Sequence, residues 1–110
     1  MKIKAIVLAI ALGLASTAAM ADDMERGILA FLKGDNETAL QVFRPLAEHG
    51  NKEAQYYVGY MYQSGIGVSQ NNAEALRWYE LAAKQGHDSA SVQAKVVSRT
   101  LKNQPETFSS

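Results

Sequence analysis

The residues that could do chemistry are few, and the first candidate is the run Gly65-Ile66-Gly67-Val68. Two glycines one residue apart can cradle a phosphate when the loop follows a strand and opens a helix. A third glycine or a Lys-Ser/Thr pair then completes the motif. Here the preceding residues, "AQYYVGYMYQS", carry a helical pattern, no third glycine follows, and no Lys-Ser/Thr pair succeeds the loop. The loop is therefore read as a joint. Gly65 takes positive φ at a helix end, Gly67 reverses the chain, and Ile66 and Val68 fold back towards Met61. His49 and His87 each flank a glycine, but no cysteine or paired carboxylate accompanies them, so no metal site is expected. Glu48, Glu53, Glu74 and Glu80 read as solvated or capping carboxylates rather than an acid/base pair. Catalysis needs a nucleophile or base positioned in a pocket, and no such group stands out. Neither an enzyme nor a cofactor is expected.

Charge and the N-terminus bound the partners. Lys2 and Lys4 precede an apolar and small-residue run from Ala5 to Ala19, and Ala19-Met20-Ala21 then meets Asp22-Asp23. This is the order of a secretory signal peptide, residues 1–21, cut after Ala21. The competing reading is a retained anchor, but a span takes about 20 apolar residues, and this run is shorter. The chain has no cysteine for a lipid anchor or a disulfide. The expectation is a periplasmic or secreted protein without a membrane span after cleavage. Without Lys2 and Lys4, 9 basic residues face 11 acidic ones. That balance offers no electrostatic footprint for nucleic acid.

What must position any site is a set of helices. "ETALQVFRPLAEHGNKEA" slid along by 36 residues lies on "AEALRWYELAAKQGHDSA". Ala39 meets Ala75, Phe43 meets Tyr79, Ala47 meets Ala83, Gly50 meets Gly86 and Ala54 meets Ala90. Apolar residues recur at spacings of three and four in both copies, which argues for helix. Helices are predicted near 23–33, 37–48, 52–63, 72–85 and 88–101, followed by a polar tail at 102–110. The fold class is all-α, and nothing alternates like a strand. Asn51 caps the third helix, and Asn71 with Glu74 forms a capping-box-like start for the fourth. Pro45 falls inside the second, where a proline costs about 3 kcal/mol or more, so a kink or local break is predicted. Trp78 and Tyr79 sit on the repeating apolar stripe and read as core.

Ala54 to Ala90 resembles one nearly complete Sel-1-like repeat, a relative of the tetratricopeptide repeat. The resemblance rests on Gly59, Tyr62, Gly65-Ile66-Gly67-Val68, Ala75, Trp78-Tyr79 and Ala82-Ala83 with Gly86. Residues 23–50 are similar to the degenerate opening unit of such arrays, and 88–101 to a capping helix. The chain departs from the pattern at Asn71, where aspartate is usual, and at Ser98, which stands at the Tyr62 position. The resemblance implies a short α-solenoid of antiparallel hairpins in residues 22–101, working as a scaffold or adaptor. Hairpins that bury their stripes only against neighbours build extended concave surfaces.

On the third helix, Tyr56, Tyr60 and Gln63 point away from the Ala54, Val58 and Met61 stripe, at about 100° per residue. The concave strip expected from that geometry adds Glu25, Leu29 and Leu32 from the first helix, and Val92, Val96 and Arg99 from the fifth. Four of the five tyrosines lie on the third helix, and tyrosine combines contact area with a polar tip. The strip is expected to bind a protein or peptide. The alternatives are that these side chains only cover the core, or that the protein is a periplasmic inhibitor occluding a partner enzyme. Self-association through the apolar ends of so short an array is a further possibility.

Overall fold

Five helices fill most of residues 19–104, the part of the chain that the computed structural model describes. They are α1, described over 19–32, α2 (Asn36–Glu48), α3 (Lys52–Ser64), α4 (Asn72–Lys84) and α5 (Asp88–Asn103). Among the described residues there is no strand. Most of the expected signal segment and the end of the polar tail lie outside the described residues. Two boundaries differ from expectation by two residues or more. Helix α1 is already formed at residue 19, because Ala19, Met20 and Ala21 favour helix as well as reading like a cleavage site. At the other end α5 takes in Lys102 and Asn103, which sequence placed in the tail.

The turns share one construction. After α1, α2, α3 and α4, an amide donates to the carbonyl five residues back: Asp35 to Ala30, Asn51 to Leu46, Ile66 to Met61 and His87 to Ala82, at 2.9–3.2 Å. The residue before each donor is a positive-φ glycine, which is the Schellman ending of a helix. At three of the four turns the same donor then caps the next helix. The Asp35 side chain accepts from the Thr38 amide at 3.3 Å, Asn51 Oδ1 from Ala54 at 3.0 Å, and His87 Nδ1 from Ala90 at 3.1 Å. One residue closes one helix and opens another.

The α3–α4 connection alone inserts a longer loop, Gly65 to Gln70. Gly67 has φ 72°, and a Cβ there would lie 3.2 Å from the Asn36 carbonyl oxygen and 3.4 Å from Met61 Cε. The loop thus lies against the start of α2 as well as closing its own hairpin, and Ile66 packs on the core beside Met61. Only half of the expected capping box forms. Asn71 Oδ1 accepts from the Glu74 amide at 3.1 Å, but the Asn71 amide donates to the Tyr62 carbonyl instead of a Glu74 carboxylate. The loop's own backbone takes that donor first.

Helix α2 runs unbroken through Pro45, against the predicted break. Pro45 and Gln41, whose carbonyl loses its partner, both lie on the exposed face. Water can satisfy a carbonyl there, and only the last turn of the helix follows.

The helices stack in two layers, with α1, α3 and α5 in one and α2 and α4 in the other. Helix α3 touches α2, α4 and α5, and Phe31 of α1 meets the Tyr57 ring of α3 at 5.6 Å. The core falls into two clusters, and Tyr62 packs against both. One cluster joins Phe43, Leu46 and Ala47 of α2 to Val58 and Met61 of α3 and Trp78 of α4. A second joins Ala75, Tyr79 and Ala82 of α4 to Ala90 and Val97 of α5. Gly59 is what lets α4 approach α3. A Cβ at Gly59 would stand 2.8 Å from Tyr79 Cδ1 and 2.9 Å from Cε1, and Gly27 meets Phe43 in the same way within the first hairpin.

Candidate partner-binding face

A surface that captures a partner shows itself as apolar side chains left in water, because solvent contact is unfavourable for them unless something covers them. Six large hydrophobic residues are exposed among the described residues: Leu29, Leu32, Tyr60, Leu81, Val92 and Val96. Five of them lie on α1, α3 and α5, from 38% exposed at Tyr60 to 74% at Leu32. Only Leu81 belongs to the other layer. The periodicity that aims alanine and valine inwards on α3 and α5 leaves these positions on the outer surface of the same layer.

The α1 and α3 parts of this face meet directly: the Phe31 and Tyr60 rings are 6.0 Å apart and nearly perpendicular. Tyr56 is half-buried rather than free, because its ring stacks on His87 at 4.6 Å and leans on Tyr79 at 5.7 Å. Gln63 is engaged structurally. Tyr79 Oη donates to Gln63 Oε1 at 2.6 Å, and Gln63 Nε2 donates to Gln93 Oε1 at 3.4 Å, which ties α3, α4 and α5 together. Arg99 is exposed but lines a cavity of about 410 Å³ between α4 and α5, with Leu76, Glu80, Lys95 and Lys102. It therefore belongs to the C-terminal edge of the stack rather than to the strip around Tyr60. Glu25 is exposed on α1.

Sequence reasoning missed three residues here. Phe31 and Tyr57 complete an aromatic group with Tyr56 and Tyr60; the four-tyrosine helix was visible, but the register that brings Phe31 onto it was not. His87 is the third. Its Nδ1 accepts the Ala90 amide, which puts the ring proton on Nε2, 3.2 Å from Glu53 Oε2. His49, which falls at a different repeat position, instead places Nδ1 2.6 Å from the Pro45 carbonyl oxygen. The two histidines are thus tied to different elements. Among the described residues no three His, Asp or Glu side chains gather as a metal site would require, and no helix is long and apolar enough to cross a membrane.

Burial sets the electrostatics of the tyrosines. The Tyr79 phenol is pushed well above its ordinary value by desolvation first, then by Tyr56 and Tyr60. Tyr57 is raised by burial, then by the Glu53 carboxylate and by Tyr56. Both stay neutral donors in ordinary conditions. Trp78 is buried in the core with its indole N–H unpartnered, and Arg77 lies over its ring at 5.4 Å.

Comparison with known proteins gives the context. The Sel1 repeat family model matches residues 52–87. An exopolysaccharide production negative regulator of Rhizobium leguminosarum bv. viciae is 35% identical over 60 residues, 54% of this chain and 22% of that protein. The DAP3-binding cell death enhancer 1 of Rattus norvegicus is 34% identical over 56 residues, covering 51% of this chain and 11% of its own length. Chitin synthase regulatory factor 3 of Schizosaccharomyces pombe is 41% identical over 64 residues, 58% of this chain and 7% of that protein. The chain thus spans less than a quarter of each of these relatives. No solved structure matches it. The matched segment starts with the first residue of α3 and ends on the residue that caps α5, so the match to the Sel1 repeat covers α3, its glycine loop and α4.

Proposed function

We propose that this chain is an exported, non-enzymatic interaction module that holds a protein or peptide on the face formed by α1, α3 and α5. The observation that carries the reading is the segregation of exposed apolar side chains: Leu29, Leu32, Tyr60, Val92 and Val96 share one layer. Scattered single hydrophobics need no explanation, but a strip on alternate helices of a stack marks a contact surface. The test uses a photo-crosslinking residue placed in turn at Leu32, Val92 and Leu81 in the full chain, expressed in its own cells. A shared crosslinked product from Leu32 and Val92, absent from Leu81, supports the reading. Equal products from all three, or from Leu81 alone, overturn it. N-terminal sequencing of the protein from the cell envelope tests export, with Asp22 as the expected first residue.

A second reading is an inhibitor or regulator that occludes its partner. It is favoured by the names of two relatives, a negative regulator of exopolysaccharide production and a chitin synthase regulatory factor. The two readings separate once a partner is in hand, because only the inhibitor lowers that partner's activity on binding.

A further inference from the structure

At the junction of α1 and α3 a small hollow of about 200 Å³, open to solvent, is lined by Phe31, Tyr56, Tyr57 and Tyr60 and by no carboxylate. The walls stand close to right angles. Phe31 is inclined at 67° to both Tyr57 and Tyr60, with centroids 5.6 and 6.0 Å apart, and Tyr56 is inclined at 71° to Tyr57 at 6.0 Å. Two of the rings are braced. Tyr57 stacks on Phe43 at 4.6 Å and 11°, and Tyr56 stacks on His87 at 4.6 Å and 19°. Each braced ring is held by a stacked neighbour on one face, and both rings line the hollow.

We propose that this aromatic cavity binds a quaternary ammonium group. Aromatic faces attract a cation within about 6 Å of the ring centroid, and four rings line this one small hollow. The lining also selects among cations. A primary ammonium brings three N–H donors that need acceptors, and the cavity offers only phenol oxygens. A trimethylammonium group has no donor to satisfy. The field nearby has the right sign in part, since the Glu53 carboxylate is close enough to raise the Tyr57 phenol, after the larger effect of burial. Lys52 opposes it from the neighbouring cleft, which it lines together with Tyr56 and Tyr57. Among the described residues the guanidinium–ring contacts lie elsewhere, Arg44 over Tyr62 and Arg77 over Trp78. The cavity shares the face proposed above for a protein partner, but neither its ligand nor its test requires one.

The experiment follows the tyrosine and phenylalanine ring resonances of the full chain by NMR during titration with choline, and separately with its neutral isostere 3,3-dimethylbutan-1-ol. Choline should shift the Phe31, Tyr56, Tyr57 and Tyr60 resonances saturably and bind about tenfold tighter than the isostere. Tyr60→Leu, at an exposed ring, and Phe31→Leu keep apolar volume while removing a π face. Each should weaken choline roughly twofold to fivefold, and Lys52→Ala should tighten it. Equal binding of choline and the alcohol would make the cavity a plain apolar dimple and overturn the proposal, as would no shift with either. Unchanged choline affinity in both leucine variants overturns it too. Sedimentation with phosphatidylcholine vesicles, against phosphatidylglycerol vesicles, assigns the source. Selective co-sedimentation supports the site with a lipid headgroup as ligand, and choline binding without it supports the site with a soluble cation. Loss of the choline response with the Leu32 and Val92 crosslinks retained removes the cavity and leaves the partner-binding reading standing.

Discussion

Gly59→Ala offers a sharp test of how the two layers are held together. Gly59 lies in the middle of α3, where helix preference alone makes alanine better by about 0.8–1 kcal/mol. The added Cβ would sit 2.8 Å from Tyr79 Cδ1, 2.9 Å from Cε1 and 3.2 Å from Cγ. That ring cannot step aside cheaply. Tyr79 is fully buried, leans on Tyr56, and is fixed at its far end by the 2.6 Å bond to Gln63. Overpacking a fixed core site costs typically about 1–3 kcal/mol. The net expectation is a loss centred near 1 kcal/mol, against a gain of similar size if propensity alone operated. In urea unfolding followed by far-UV circular dichroism, the midpoint should fall with the slope unchanged, and Tm should drop by about 4–8 °C per kcal/mol. Adding Tyr79→Leu should recover much of the loss, giving a coupling energy of about 1–2 kcal/mol in the double-mutant cycle. A Gly59→Ala protein more stable than the wild type by the full propensity increment would show that the layers do not meet at this contact.

Other outcomes follow from the same contacts. Gly67→Ala combines left-handed backbone with a Cβ 3.2 Å from the Asn36 carbonyl oxygen, so its unfolding free energy, from urea titration, should fall by about 1–2 kcal/mol from the backbone alone. His87→Ala should cost about 0.5–2 kcal/mol through loss of the α5 cap, while His87→Asn keeps an acceptor and should recover much of it. Tyr79 is held protonated in the fold by burial above its ordinary 10.0. Its contribution is therefore complete below pH 10 and lost as pH rises through that value and beyond, where the unfolded chain releases the proton first. Stability measured across the alkaline range should decline less steeply in Tyr79→Phe.

The helices were legible because burial recurs in the residue types. Ala39, Phe43, Ala47 and their partners 36 residues on are all apolar, and each Schellman turn carries its glycine. What escaped depended on which helix lies against which. Tyr57 reads as one tyrosine among four until Phe31 and Phe43 arrive from other helices, and His87 reads as a residue beside a glycine until its ring nitrogen meets Ala90. Gln55 is another case: it is buried, and its amide donates to the Ala47 carbonyl at 3.1 Å while its oxygen accepts from Gln85 at 3.0 Å. A glutamine between alanine and tyrosine gives no hint of that bridge. Pro45 misled in the other direction, because the cost of an interior proline depends on whether the freed carbonyl faces water. Gln63 was assigned outwards by angle alone, and angle cannot reveal that the Tyr79 hydroxyl reaches across to claim it.

Where a single residue both ends one helix and begins the next, the chain has no spare length. One amino acid added at Gly34-Asp35, Gly50-Asn51 or Gly86-His87 would part the closing amide from the capping side chain, leaving one of the two helix ends without its partner. Only the segment between Gly65 and Asn71 can grow or shrink without that penalty, and the two hairpins of this chain already differ in length at that point. Variation has one open door here, and it faces the Asn36 end of the neighbouring hairpin.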